Sequence, residues 1–163
     1  MEAAKSKLKL EHYNWLLIST WFGLRPREVN NLLSDGIGFF EINPHEEHGF
    51  VLHIFQEKLY ERGTSREKCW KLIPTYFLRQ REVIEIIRSK KFKQPIAKII
   101  KKCFGEHYTA YGGRKNFVDM LRSHGFELEV ASRWMGHLSV KTTEKSYSKV
   151  DALIYRPPEK LAG

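Results

Sequence analysis

Residues 108–150 read YTAYGGRKNFVDMLRSHGFELEVASRWMGHLSVKTTEKSYSKV. Tyr111 stands three positions before Arg114, and an apolar run then closes at His124-Gly125. Met135-Gly136-His137 follows, and Tyr147 comes behind Thr142-Thr143. The apolar spacing predicts helices over 116–123, 127–135 and 140–149, with Gly125 and Gly136 as breaks. Arginine and histidine hydrogen-bond phosphate oxygens, and a tyrosine hydroxyl can attack phosphorus, so one short segment holds the parts for phosphodiester chemistry. Each part also has an ordinary reading: His137 as a helix-end cap, Tyr147 as a helix tyrosine with a solvated hydroxyl. Their joint order is what carries weight.

Around this stretch the composition points the same way. Lys and Arg number 28 against 19 Asp and Glu, and a formal net charge of +9 with a pI near 9.6 suits a polyanionic partner. The chain of 163 residues is 42% hydrophobic, enough for one domain with a core. Cys69 and Cys103 do not make a disulfide framework, which fits a reducing intracellular setting. No apolar run has the length of a membrane span, and no signal peptide opens the chain.

Upstream, Tyr13, Leu16, Leu17, Thr20 and Trp21 recur at helical steps, predicting an amphipathic helix over 11–22 that Gly23 ends. Pro26 suits the start of a second helix over 26–33, with Val29, Leu32 and Leu33 inward. Between them lies Gly23-Leu24-Arg25-Pro26-Arg27-Glu28. Residues 39–42, 49–55 and 69–74 are rich in strand formers and separated by turn signals at 43–49 and around Gly63, predicting a small antiparallel sheet of three strands. His45 and His48 lie three apart between Pro44 and Gly49, which fits a solvated turn better than a helical zinc motif. Beyond Pro74, Thr75 is placed to cap a helix through about 88. A further helix over 95–104 opposes Ile96, Ile99 and Ile100 to Lys98, Lys101 and Lys102, a basic face that is either solvated or set against phosphates.

Taken together, Gly23-Leu24-Arg25 with Glu28, then Arg114, Gly136-His137 and Tyr147, resemble boxes I and II of the tyrosine recombinase (phage integrase) family. The separation of Arg114 from His137 fits that family closely. The resemblance spans about 11–150 and implies an α+β, mainly helical catalytic domain, the core fold of tyrosine recombinases and type IB topoisomerases. Residues 1–10 would then be a flexible N-terminus and 151–163 a C-terminal tail. It implies that Arg25, Arg114 and His137 bind the scissile phosphate, with Glu28 supporting Arg25, and that Tyr147 is the nucleophile of a 3′-phosphotyrosine intermediate. Arg27 is the rival of Arg25 for the arginine role. A lysine near the turn between the second and third strands would protonate the leaving 5′-oxygen; Lys58 is the best match and Lys68 the runner-up. No cofactor, metal or ATP is implied. The implied partner is double-stranded DNA, held by a tetramer of protomers of a longer protein with an N-terminal DNA-clamping domain. The implied setting is the cytoplasm, at the nucleoid, with no membrane.

Two positions depart from the family pattern. Tyr111 stands where a histidine or lysine is usual, a Tyr-x-x-Arg form that resembles integrases of archaeal viruses and plasmids. Tyrosine is a poor base near neutrality, which leaves Lys58, Lys115 or His107 to compensate. The interval from His137 to Tyr147 is one residue longer than usual, about 100° around a continuous helix. Either a loop re-aims the hydroxyl or it serves a neighbouring active site. A topoisomerase-like nicking and religating enzyme shares this chemistry, and a catalytically decayed DNA-binding module is the reading from another class.

Overall fold

The computed structural model describes residues 5–34 and 38–137. The expected helix over 140–149 with Tyr147, and the tail beyond it, lie outside the described residues.

Helix α1 (Leu10–Phe22) runs through the middle of the molecule. The expectation of an amphipathic helix is corrected: Tyr13, Trp15, Leu16, Leu17, Ile18 and Phe22 are all buried, so apolar contact surrounds it rather than lying along one stripe. Its polar groups are accommodated individually. The Asn14 amide donates to the Lys91 carbonyl at 2.8 Å, the Trp15 indole N–H to Asn30 Oδ1 at 2.8 Å, and the Ser19 hydroxyl to the Leu24 carbonyl at 3.3 Å.

A left-handed Gly23 (φ 60°) ends α1, and α2 (Pro26–Asn31) starts three residues later. Of the residues expected to face inward from this segment, Val29 and Leu32 are buried, whereas Leu33 lies beyond the helix and is 39% exposed.

Strands β1 (Phe40–His45), β2 (Gly49–Phe55) and β3 (Trp70–Pro74) form an antiparallel sheet in the order β1-β2-β3. β1 runs further than expected, through Pro44 to His45, which pairs with Gly49. An edge strand can hold a proline because one side of its ladder makes no hydrogen bonds. The register places Phe40 and Ile42 against Ile54 and Leu52, and Leu52 and Ile54 against Ile73 and Lys71, giving an apolar face toward the helices with a single lysine in it. Between β2 and β3, where no helix was expected, lie the short helix α3 (Glu57–Tyr60) and a 3₁₀ turn over Arg66–Cys69.

Thr75 does not cap the next helix. Its hydroxyl accepts from the Phe50 N–H at 3.1 Å and donates to the His48 carbonyl, extending the sheet. Helix α4 (Leu78–Ser89) therefore begins later, its start closed by Gln80 Oε1, which accepts from the Tyr76 and Phe77 N–H groups. Helices α5 (Ala97–Phe104), α6 (Gly112–Ser123) and α7 (Leu128–Met135) complete the described chain. α6 starts four residues ahead of the expected 116, which places Arg114 inside its first turn. α1 packs on α4 and α6, while α7 packs on both α6 and β3 and so closes the helical layer against the sheet. No described helix is long and apolar enough to cross a membrane.

Gly23 is the corner between α1 and α2. A Cβ there would lie 2.3 Å from the Phe117 ring, and its φ is unfavourable for any L side chain. Gly23→Ala is expected to destabilise the fold by about 1–3 kcal/mol, read as a lowered midpoint in urea denaturation.

Candidate phosphate-binding site

Glu28, on α2, points into the protein and is 6% exposed. Its Oε2 accepts from the backbone N–H of Arg25 at 2.7 Å and from Lys71 Nζ at 2.8 Å, and its Oε1 accepts from Arg25 Nη1 at 2.8 Å. Arg114 Nη1 stands 4.0 Å from Oε2. One carboxylate thus holds residues from three distant parts of the chain: the α1–α2 corner, β3 and α6.

Arg114 is buried, and its guanidinium donates to the Gly23 carbonyl at 2.6 Å and to the Met135 carbonyl at 2.7 Å. Nη2 also lies 3.1 Å from His137 Nε2. A guanidinium has donors only, so Nε2 accepts, and the imidazole is neutral with its proton on Nδ1. The electrostatics agree. Burial, reinforced by the charges of Arg114, Arg25 and Lys71 and only partly opposed by Glu28, lowers the His137 pKa to about 4.

Burial also pulls the Lys71 ammonium below its ordinary amine value; Glu28 opposes that shift, and the two arginines add to it. For Glu28 itself burial acts upward, but Lys71, then Arg25 and Arg114, outweigh it and hold the carboxyl well below the usual carboxylate range. Three cationic side chains around one carboxylate leave an excess of positive charge, the condition for holding an anion.

His137 gives onto a cavity of about 530 Å³ lined by Gln56, Lys68, Trp70, Lys71 and Arg133 among others. Arg25 joins that wall through Gln56, whose Oε1 lies 3.4 Å from Nη1, and Arg114 joins it through His137. The end of α7 is shaped for this contact. Gly136 has φ 71°, and a Cβ on it would fall 1.8 Å from Gln56 Oε1. Glycine alone lets the chain pass that close and still turn His137 toward Arg114.

The structure brings together Arg25, Arg114 and His137, with Glu28 bound to Arg25 as expected. Lys58 is exposed on α3 and does not line the cavity, whereas Lys68, across the same connection, does. Tyr111 immediately precedes α6, 58% exposed, and its carbonyl accepts from the Arg114 N–H at 3.1 Å. Arg27 turns away from the cluster, pairing with Glu57 at 2.8 Å and Glu61 at 2.9 Å across α2 and α3. His45 Nδ1 accepts from the N–H groups of Glu47 and His48, and the two imidazoles stack at 4.9 Å. Among the described residues no group of three His, Cys, Asp or Glu side chains could hold a metal ion.

Lys71 and Gln56 escaped the sequence reading. A signal for Lys71 was present: Cys69, Ile73 and Thr75 are buried and alternate with less buried positions, and Lys71 is in phase with them. A lysine on the buried face of a strand needs a carboxylate partner, and Glu28 follows Arg25 by three positions.

The folded His137 pKa lies below the value near 6.5 of an unfolded chain, so in the window between them the unfolded state binds the extra proton. The contribution of His137 to stability is complete above the upper value and is lost as pH falls toward about 4. His137→Gln is expected to flatten denaturation midpoints across that window relative to the parent chain, with little difference between the two at pH 8.

No protein-family model matches the sequence, and no curated protein matches it. Among solved structures, the chain is similar to a fragment of the Tn1549 transposon integrase in complex with transposon right-end DNA, with a TM-score of 0.56 at 14% sequence identity. The likeness covers 91% of this chain and 59% of that one, so this chain spans little more than half the length of its structural neighbour. A layer of helices against a three-stranded antiparallel sheet is the integrase catalytic-domain fold, and this chain has it.

Proposed function

We propose that this chain is the catalytic domain of a DNA integrase of the tyrosine recombinase kind, cleaving and rejoining strands through a 3′-phosphotyrosine. The observation that carries the reading is the convergence of Arg25, Arg114 and His137 on one carboxylate-braced cluster from positions scattered along the sequence. The neighbour with the same fold is an integrase bound to DNA, and the net charge of +9 suits the same polyanion.

The scissile phosphate sits against the two guanidinium groups, whose paired donors match its nonbridging oxygens and meet the charge that builds up in the pentavalent transition state. In the absence of DNA, Arg114 donates to His137 Nε2. A phosphate oxygen replaces that ring nitrogen as the acceptor, and His137, relieved of the contact and facing an anion, takes up a proton and donates to the same oxygen. The Tyr147 hydroxyl attacks phosphorus and gives its proton to solvent water as the P–O bond to the 5′-oxygen breaks, and that oxygen takes a separate proton from a lysine ammonium. We place Lys68 in this role because it lines the cavity beside His137, with Lys58 as the alternative. The phosphotyrosyl bond keeps the energy of the phosphodiester, so a 5′-hydroxyl of another strand can reseal the DNA. Tyr111, at the head of α6, orients the helix start and the incoming backbone rather than acting as a base. The protomers act as a tetramer on DNA, and the protein works inside the cell. The Tyr-x-x-Arg form supports a subtype like the integrases of archaeal viruses and plasmids, which it resembles.

Trapping on a nicked suicide duplex tests the chemistry. The parent chain is expected to give a detergent-stable protein–DNA band, and Tyr147→Phe to give none while binding DNA with unchanged affinity. Lys68→Met is expected to slow trapping by on the order of 100-fold, and Lys58→Met by less than about threefold. A 5′-phosphorothiolate leaving group, which needs no proton, restores the Lys68→Met rate. The reverse ranking of the two lysines would return the acid role to Lys58, and a band from Tyr147→Phe would name another nucleophile.

Proton uptake gives a second check. Calorimetric titration of a short duplex in buffers of different ionisation enthalpy should show net uptake of protons near pH 6, lost in His137→Gln. An equal heat in all buffers would remove the histidine from phosphate contact.

A further inference from the structure

The two arginines and His137 suffice to meet a phosphate, yet an ammonium lies buried beneath them. Lys71 is 3% exposed, in the middle of β3, on the face that is otherwise apolar. A methionine would fill the same row without desolvating a charge, and buried ion pairs are seldom retained for stability alone.

Lys71 touches two things. Its Nζ donates to Glu28 Oε2 at 2.8 Å, the same oxygen that receives the Arg25 N–H, and it lies 3.5 Å from the Met135 carbonyl. The Met135 carbonyl also accepts from Arg114 Nη2 and belongs to the last residue of α7, two before His137. Lys71 therefore connects the carboxylate that aims Arg25 with the peptide group that presents His137. We infer that Lys71 is a positioning residue of the phosphate site, joining the Arg25–Glu28 pair on α2 to the Arg114–Met135–His137 corner so that all three phosphate-binding groups keep one geometry.

This inference rests on the proposed function for its consequence in catalysis, but the joint itself is a property of the free protein. Without Lys71, Glu28 remains bound to Arg25 but loses its tie to β3, and the Met135 carbonyl keeps its bond from Arg114 but loses the one from β3. Arg25 and His137 can then shift relative to each other, and displacements near 1 Å at a phosphoryl centre cost rate far more than affinity. The charges that act on His137 include Arg114 on α6, Arg25 and Glu28 at α2 and Lys71 on β3, while Lys68, Glu129 and Arg133 line the cavity beside it. Removing Lys71 takes away one positive neighbour and loosens the corner, and both changes raise the His137 pKa.

The test uses the full chain with Lys71→Met and Lys71→Arg. The first reading is independent of activity: titration of the His137 ring by nuclear magnetic resonance. The parent should titrate near 4, Lys71→Met at least about half a unit higher, and Lys71→Arg close to the parent. The second is single-turnover trapping on the suicide duplex, with DNA affinity measured alongside. Lys71→Met should trap on the order of 100-fold more slowly with affinity within about threefold, and Lys71→Arg should recover most of the rate. An unchanged His137 titration in a folded Lys71→Met overturns the inference whatever the activity. So does a trapping rate equal to the parent's, or equal loss in both variants accompanied by the same fall in melting temperature, which would make Lys71 a pillar of the fold only. Should Lys71→Met not fold, Lys71→Arg decides: a parent-like titration and rate support the joint, and a large loss in a folded Lys71→Arg removes it. A parent chain that titrates as expected but never traps DNA would instead count against the proposed function and leave the joint standing.

Discussion

A single carboxylate organises the centre of this protein. Glu28 is buried among Arg25, Lys71 and Arg114, whose charges together outweigh the burial that would neutralise it. An isolated carboxylate in such surroundings would take up a proton or draw in water, whereas one hydrogen-bonded to Arg25 and Lys71 remains ionised. The three cations come from separate stretches of chain, so the ion cluster also closes the tertiary structure, fastening the helical layer to the sheet where α7 meets β3. The wall of the cavity and the packing of the fold therefore depend on the same electrostatic balance.

Much of the architecture could be read from local rules. Gly23 followed by Pro26 marks a helix end and a helix start in any context, and the β-formers flanking 43–49 could hardly be anything but a hairpin. The misreadings arose where long-range contacts decided. Thr75 has the side chain of a helix cap, but the carbonyl of His48 and the N–H of Phe50 are brought to it by strand pairing and hold it in the sheet. α1 looked amphipathic because His12, Asn14 and Ser19 break its apolar pattern; each is buried and bonds to backbone or lies against it. Nothing local distinguishes a polar residue facing water from one facing a carbonyl 77 positions away.

The two arginines and His137 could be singled out for another reason. Arg25 and His137 come just after Gly23 and Gly136, which end helices in the left-handed conformation and mark corners of the chain, while Arg114 lies in the first turn of α6. Lys71 has no such neighbour. It is identified only by its phase along β3, and a lysine in a strand is ordinarily taken to point outward. The choice between Lys58 and Lys68 depended on how the connection between β2 and β3 folds, and the short helix there turns one outward and leaves the other at the cavity. Tyr147 was legible as a residue type in sequence order, and its placement lies beyond the described residues.

The shared carboxylate has a consequence for how such a sequence can diverge. His137 and Lys68 stand at the edge of the cavity, and a descendant can exchange them singly with little effect on folding. Glu28 cannot be exchanged in that way. Its loss strands the Lys71 ammonium in the interior and frees Arg25, so a descendant that abandons the carboxylate must also replace Lys71, with apolar residues of similar volume, in nearly one step. The cluster acts as a ratchet: the buried acid and ammonium would outlast whatever the cavity beside them does, and a descendant would still carry them after its exposed groups had drifted.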